Sequence, residues 1–217
     1  MMRSQIQFLS LTTATLLLTF FPLPLPLPHP PAPAQAQTID ARKTEADRLL
    51  RRGIELFQIS QVEAALESWQ QALQIYRAIQ DRRGEGASLG NLGIAYHALG
   101  NYSKAIEYHQ QSLAINRAIQ DRRGEGASLG NLGNAYHALG NYSKAIEYQE
   151  QSLAIKRAIQ DRQGEGASLG NLGNAYHALG NYGKAIEYHQ QSLAINRAIQ
   201  DRRGEGGIQN NLGLVGF

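Results

Sequence analysis

The chain has 217 residues, no cysteine, 18% charged residues and a formal net charge of +3. The absence of cysteine excludes a disulfide framework, a thiolate zinc site and a cysteine nucleophile. The small net charge and the lack of a basic tract argue against a nucleic-acid partner, although the isoelectric point is about 9.2. All 7 prolines lie between Pro22 and Pro33, so the composition describes two different segments joined in one chain.

The N-terminal segment, residues 1–36, has the pattern of a secretory signal peptide. The positive charge of Arg3 precedes an apolar run over residues 6–21, and a site of small residues ends at Ala36. We expect cleavage after Ala36, which places the remaining chain outside the cytoplasm, in a bacterial periplasm or secreted. The alternative is an uncleaved N-terminal membrane anchor, because the apolar run is only slightly shorter than a spanning helix. The proline-rich stretch between run and site predicts an extended polyproline conformation.

The rest of the chain repeats itself with a period of 40 residues, as the spacing of Gly84, Gly124 and Gly164 shows. Such a period is typical of solenoid arrays. We expect a linker over residues 37–43 before the first copy. The copies are a diverged one at 44–83, three near-identical ones at 84–123, 124–163 and 164–203, and a truncated one at 204–217.

Each copy predicts a helix, a turn and a second helix. Asp121 has the residue type of an N-cap for a first helix over residues 122–139. Gly140 and Asn141 predict its end and the cap of a second helix over residues 142–160. The apolar residues of the first helix recur at spacings of one helical face: they are Leu129, Leu132, Tyr136 and Leu139. Because no stretch alternates like a strand, the sequence predicts an all-α fold.

The repeat resembles the tetratricopeptide repeat. Its matching residues are Leu129, Leu132, Gly133, Tyr136 and Ala145. The aromatic expected four residues after Ala145 is Trp69 in the first copy but His109, Gln149 and His189 in the later ones. The longer period is similar to that of Leu-Gly-Asn-repeat G-protein-signalling modulators, kinesin light chains and bacterial repeat proteins. The resemblance implies an α-solenoid of helix–turn–helix repeats.

The resemblance also implies that the first helices line a concave groove that holds a partner peptide. Carried over by motif position, the groove residues are Asn91, His97, Asn131, Asn134, His137, Asn171, Asn174 and His177. An asparagine amide both donates and accepts hydrogen bonds, so a row of them can bind the backbone of an extended peptide. The alternative, compatible with the first, is that the asparagines bond neighbouring repeats and set the superhelix.

The sequence offers no pattern for catalysis, a metal or a cofactor. His97, His137 and His177 come one per repeat, which is too wide a spacing for one zinc ion. The glycines from Gly124 onward follow a predicted helix instead of a strand and have the wrong spacing for a dinucleotide loop. No nucleophile–base pair or paired carboxylate site is present, so we expect a protein that is not an enzyme.

We therefore expect a non-catalytic scaffold that binds protein or peptide partners, does not bind nucleic acid, and touches a membrane only if the leader stays uncleaved. The alternative is that the array is the sensor or oligomerisation arm of a longer protein with an effector such as a caspase-like protease. The truncated copy at 204–217 leaves its apolar residues without a partner helix, which predicts self-association through this segment.

Overall fold

The computed structural model describes residues 32–214, which form nine α-helices and no strand. The helices are α1 (Ala32–Gln58), α2 (Val62–Ala78), α3 (Arg82–Ala98), α4 (Tyr102–Ala118), α5 (Arg122–Ala138), α6 (Tyr142–Ala158), α7 (Arg162–Ala178), α8 (Tyr182–Ala198) and α9 (Arg202–Leu214). The predicted helices of the third copy are confirmed, each slightly shorter at its C-terminal end than expected. Odd-numbered helices are the first helices of the repeats and even-numbered ones are the second helices.

The helices stack in chain order into an α-solenoid. Every helix packs on the next one, and each first helix also contacts the first helix of the neighbouring repeat. Within the described part of the chain, no such contact joins the second helices of neighbouring repeats. The array therefore curves toward the layer of α1, α3, α5, α7 and α9, and we call the surface of this layer the concave face.

Two kinds of turn connect the helices. After the first helices α3, α5 and α7, glycine adopts the left-handed region, as Gly140 does at φ 74°, and Asn141 then caps α6 by accepting from Lys144 N at 3.2 Å. After α1, Ser60 takes that place at φ 64°. After a second helix, glutamine takes that place, as Gln120 does at φ 57°, and Asp121 caps α5 by accepting from Gly124 N at 2.9 Å. The predicted Asp and Asn caps are thus confirmed.

The core lies between the helices of each pair and at the junction with the next. Leu129, Leu132 and Ala145 are buried as the motif predicts. Tyr136 stacks on Tyr148 with ring centroids 5.4 Å apart. Leu139, which the periodicity assigns to the same apolar face, is 49% exposed because it lies in the turn beyond the end of α5.

The N-terminal helix corrects the predicted linker. Residues 37–43 belong to α1, which runs without interruption into the first helix of the first copy. Lys43 pairs with Asp81 across the first repeat junction, and Tyr76 donates to Asp47 at 2.5 Å. Pro33 lies in the first turn of α1, where a missing N–H costs nothing. The sequence predicts an extended conformation for the stretch from Pro22 to Pro33. The prediction is wrong for Pro33, and the other prolines lie outside the described residues.

Most of the predicted leader lies outside the described residues, as do the last residues of the truncated copy. The small residues of the predicted cleavage site, which ends at Ala36, fall inside α1. In the part of the chain that is described, no helix combines the length and the apolar character needed to cross a membrane.

Candidate functional site

A row of cavities runs along the concave face. One of them, of about 240 Å³, is formed by α3, α5, α6 and α7, and we call it the asparagine cavity. Its polar lining consists of His97, Asn134, His137, Gln149, Asn171 and Asn174. Asn131 lines a neighbouring cavity with Ile94, and Asn91 lines another with Asn131. Seven of the eight predicted residues thus line this row. The eighth, His177, packs on Tyr182 and lines none of these cavities.

The asparagines differ in their hydrogen bonds. Asn134 Oδ1 accepts from Asn171 Nδ2 at 3.0 Å and from Gln149 Nε2 at 2.8 Å. One repeat further on, Asn174 Oδ1 accepts from Asn211 Nδ2 at 3.0 Å. These asparagines therefore connect neighbouring repeats, as the alternative interpretation predicts.

Two asparagines of the row remain free to bind something else. Among the described residues, the amides of Asn91 and Asn131 have no hydrogen-bond partner. The physical reason is the residue 37 positions earlier in the chain. It is Ile54 for Asn91 and Ile94 for Asn131, whereas Asn171 finds Asn134 at that place. A carbon side chain cannot accept the bond that Asn134 accepts from Asn171. The free amides therefore lie in the N-terminal half of the row.

The histidines of the row form one ring contact per repeat. His97 packs on Tyr102 and His137 on Tyr142, with ring centroids 5.1 and 5.2 Å apart. The Nε2 atoms of His97 and His137 are buried and have no partner among the described residues. Within residues 32–214, no group of three or more His, Asp or Glu side chains is placed to hold a metal ion.

A second set of side chains is buried next to the row, where the second helices pack on glycines of the first helices. His109, Gln149 and His189, at the position where the motif expects an aromatic, are all 1% exposed. A Cβ at Gly93 would lie 2.5 Å from the His109 ring, so glycine is required for this close approach. Burial, with a smaller effect of nearby His97, lowers the pKa of His109 to about 4.

Lys156 belongs to the second helix α6 but reaches a cavity of the concave face, and it is not among the predicted site residues. It lines a cavity of about 290 Å³, which we call the lysine cavity, together with Arg123, Asn131, Asp161 and Asn171. Lys156 Nζ donates to Ser168 Oγ at 3.2 Å, and burial lowers the pKa of Lys156. A signal was present in the sequence, because Lys156 stands where the adjacent copies have Asn116 and Asn196.

The comparison with family models agrees with the geometry. A model described as tetratricopeptide repeat matches residues 45–118 and 124–198, which is more than half of the chain. No protein with curated function matches the chain in sequence.

Several solved structures share the fold. Aspartyl phosphate phosphatase F from Bacillus subtilis is 19% identical, with 80% of this chain and 46% of that chain covered and a TM-score of 0.75. A putative kinesin light chain from Podosopora anserina with nearly identical repeats is 25% identical, with coverages of 80% and 86% and a TM-score of 0.66. A STAND protein with a tetratricopeptide repeat sensor from Pyrococcus horikoshii is 22% identical, with coverages of 78% and 26% and a TM-score of 0.71. This chain thus spans only about half of the phosphatase and a quarter of the STAND protein.

Proposed function

Because the chain belongs to the tetratricopeptide repeat family, we propose that it is a non-catalytic scaffold that binds an extended peptide segment of a partner protein on its concave face. Tetratricopeptide repeats generally mediate protein–protein interaction and generally do not catalyse reactions. The binding site in this proposal is the row of cavities with its asparagine and histidine side chains.

The observation that carries the proposal is the presence of unused hydrogen-bonding groups in this row. Asn91 and Asn131 expose amides without a partner among the described residues, and both line cavities. An extended peptide has an N–H and a C=O at every residue, which are the complements that an amide needs. Asn134 and Asn171 bond each other instead, so in this proposal they hold the spacing of the repeats and contribute less to binding.

The test uses a display library of random dodecapeptides and the full 217-residue chain. We expect peptides selected on the parent chain to bind at least about fivefold more weakly to an Asn91→Ala, Asn131→Ala variant, since each lost hydrogen bond costs about 1 kcal/mol. The matched control is Gln110→Ala, Gln190→Ala, which removes two exposed amides from α4 and α8. Failure to select any peptide, or equal weakening by both variants, would overturn the proposal.

Export is the second part of the proposal. It rests on the leader pattern of residues 1–36, in which a basic start and an apolar run precede a small-residue site. We expect the chain in the extracytoplasmic fraction of the source cell, with Gln37 as its N-terminal residue. Retention of Met1 on a membrane-bound chain would favour the anchor, and a cytoplasmic chain would refute both.

The sensor-arm alternative is favoured by one comparison. The STAND protein carries its tetratricopeptide repeats as a sensor, and its chain is much longer than the part matched here. Reading the coding DNA beyond the codon of Phe217 tests this alternative. An in-frame continuation of the fifth repeat into a further domain would support it, and an immediate stop codon would contradict it.

A further inference from the structure

The three near-identical copies differ at few positions, and one of the differences places a lysine inside the array. The copy at 124–163 has Lys156 in α6, where the flanking copies have Asn116 and Asn196. Both asparagines are buried, and Lys156 is half-buried. A lysine rarely lies at such a position unless its ammonium is paired, so the partners of Lys156 decide what its side chain does.

The other lysines of residues 32–214 have partners that favour their charged form. Lys43 pairs with Asp81. Three more place Nζ over a tyrosine ring, 4.1–5.0 Å from the ring centroid, which stabilises an ammonium: Lys104, Lys144 and Lys184. Lys156 has neither kind of partner among the described residues. Its single hydrogen bond there goes to the neutral Ser168 Oγ.

The surroundings of Lys156 disfavour the ammonium. A Cβ at Gly164 would lie 2.7 Å from Lys156 Cδ, so the stem occupies room that only glycine leaves free. Burial lowers the pKa of Lys156 against a smaller opposing effect of Asp161, whereas Tyr96 raises the pKa of Lys104. At neutral pH a larger share of Lys156 is therefore the free amine, which is the nucleophilic form of a lysine.

The amine opens into the lysine cavity. Ser168 Oγ accepts from Lys156 Nζ at 3.2 Å and itself lies 3.3 Å from Ser152 Oγ, so Nζ is held at the cavity wall. A Cβ at Gly130 would lie 3.6 Å from Nζ, and glycine at this place keeps the approach to the amine open. The cavity, of about 290 Å³, lies just below the range of about 300–1,000 Å³ usual for small-molecule sites.

The rest of the cavity wall is suited to hydroxyl groups. Asn131 and Asn171 line it with their amides, and Asp161 lines it with a carboxylate. The amide of Asn131 has no partner among the described residues. Asp161 Oδ1 accepts from Gly164 N at 2.9 Å, which leaves Oδ2 for a further partner. Amides and carboxylates are partners for hydroxyls, so a small hydroxylated molecule with an electrophilic carbon fits the cavity.

We propose that Lys156 forms an imine with the carbonyl carbon of a small hydroxyaldehyde, such as a triose, held in the lysine cavity. The Nζ lone pair attacks the carbonyl carbon, and one amine proton passes to the carbonyl oxygen. The hydroxyl of this carbinolamine then takes the second amine proton and leaves as water, while the nitrogen lone pair forms C=N. Asp161 is the base of the cavity wall that relays these protons.

The balance of this step needs no further reactant. One aldehyde and one amine give one imine and one water, with no change of oxidation state. The inference goes beyond the proposed function and does not depend on peptide binding, because neither the ligand nor the bond it forms is peptidic.

The experiment treats the full 217-residue chain with glyceraldehyde at neutral pH, traps the imine with cyanoborohydride, and locates the adducts by proteolysis and mass spectrometry. We expect Lys156 to be labelled at least about fivefold faster than Lys104, Lys144 or Lys184 in the same sample, since nucleophilic reactivity follows the fraction of free amine. Propanal, which has the carbonyl but no hydroxyl, should react with Lys156 at least about threefold more slowly relative to the other lysines, because it lacks the hydrogen bonds to the wall.

Two variants separate the amine from its surroundings. Lys156→Arg keeps the positive charge but has no primary amine, so it should lose the fast adduct and leave the labelling of the other lysines unchanged. Lys156→Asn, Asn116→Lys moves the lysine to the equivalent place in the preceding copy, beside Gly124 and Ser128. The fast adduct should then form at residue 116. Circular dichroism confirms that both variants are folded.

Each outcome bears on the inference. Labelling of Lys156 no faster than that of the other lysines, or no adduct at residue 116 in the folded double variant, would overturn the imine site. Equal relative rates with propanal and glyceraldehyde would overturn the assignment of a hydroxyaldehyde. None of these results involves a peptide, so each of them leaves the proposed scaffold function standing.

Discussion

At the scale of single residues, the array is organised by pairs of a glycine and a large side chain. Gly53 faces Trp69 in the first repeat, and Gly93 faces His109 in the second; in both, a Cβ at the glycine would lie 2.3–2.5 Å from the ring. The same first-helix position therefore has to be glycine whether its partner is an indole or an imidazole. This explains why a helix rich in glycine, each worth about 1 kcal/mol less than alanine, is retained.

The first prediction concerns this close approach. Gly93→Ala should lower the free energy of unfolding by about 1–3 kcal/mol, because the His109 ring has to move out of a packed position. Gly183→Ala is the matched control, since its Cβ would meet nothing within 4 Å, and it should leave stability unchanged or slightly higher. Urea unfolding measures both. Equal effects of the two substitutions would contradict the close packing.

The second prediction concerns the buried imidazole of His109. Because burial lowers its folded-state pKa from 6.5 to about 4, the unfolded chain binds a proton at a higher pH than the folded chain does. The buried neutral imidazole therefore leaves the free energy of unfolding at its full value above pH 6.5. As the pH falls toward 4, this free energy decreases by about 3 kcal/mol in total. In His109→Gln, the slope of unfolding free energy against pH between 6.5 and 4 should be smaller.

The pH series has an internal control. At pH 8 both states hold a neutral imidazole, so the offset between His109→Gln and the parent reports packing alone. Parallel curves for the two proteins between pH 6.5 and 4 would show that His109 does not contribute to the acid sensitivity.

At the scale of elements, the two kinds of turn differ in strain. The turns after α3, α5 and α7 place glycine in the left-handed region, at φ 74° in Gly100, Gly140 and Gly180, whereas the turn after α1 places Ser60 there at φ 64°. The turns after second helices place glutamine there, at φ 57–59° in Gln80, Gln120, Gln160 and Gln200. For a residue with a Cβ this conformation costs roughly 1–2 kcal/mol. Each junction between repeats therefore carries a strained residue.

The third prediction tests this strain. Gln120→Gly should raise the free energy of unfolding by about 0.5–1 kcal/mol, the relief of strain less the added entropy of the unfolded glycine. The same change at Gln110, which is exposed within α4, should lower it by about 1 kcal/mol. Thermal unfolding of both variants gives the signs. A loss of stability in Gln120→Gly as large as that in Gln110→Gly would refute the argument.

At the scale of the whole molecule, the contacts between helices of residues 32–214 join neighbours in the chain and neighbouring first helices, and no others. Stability is therefore close to a sum over repeats and the junctions between them. The near identity of the copies makes the junctions interchangeable, because Arg123 is followed by the same Gly-Glu-Gly sequence that follows Gln163.

The fourth prediction follows from this additivity. Deleting residues 124–163 should leave a folded, helical chain whose free energy of unfolding is lower by roughly 2–6 kcal/mol and whose denaturant m-value is smaller. Deleting 124–143, half a period, would place two second helices in succession and should disrupt the array beyond α4. Circular dichroism with guanidinium unfolding distinguishes them. Equal stability of the two deletions would contradict a modular array.

The repeat pattern predicts which residues lie on the concave face, but it does not predict which of their polar groups are free. The motif placed seven of the eight candidate residues on cavities because equivalent positions in a regular array face the same way. It could not tell the free amide of Asn131 from the bonded one of Asn171. Their difference arises from the residue one repeat earlier, Ile94 in one case and Asn134 in the other.

The sequence by itself determined the helices, their caps, the glycine positions and the family, since these depend on local residue types repeated at a fixed period. Only the tertiary structure decided which polar groups lack a partner, as with Gln149 Oε1, and that Lys156 lies in a cavity instead of on the outer surface. It also showed that residues 37–43 continue α1. The reason is that burial and hydrogen bonding on the concave face come from helices of two or three neighbouring repeats, and the pattern within one repeat does not describe these contacts.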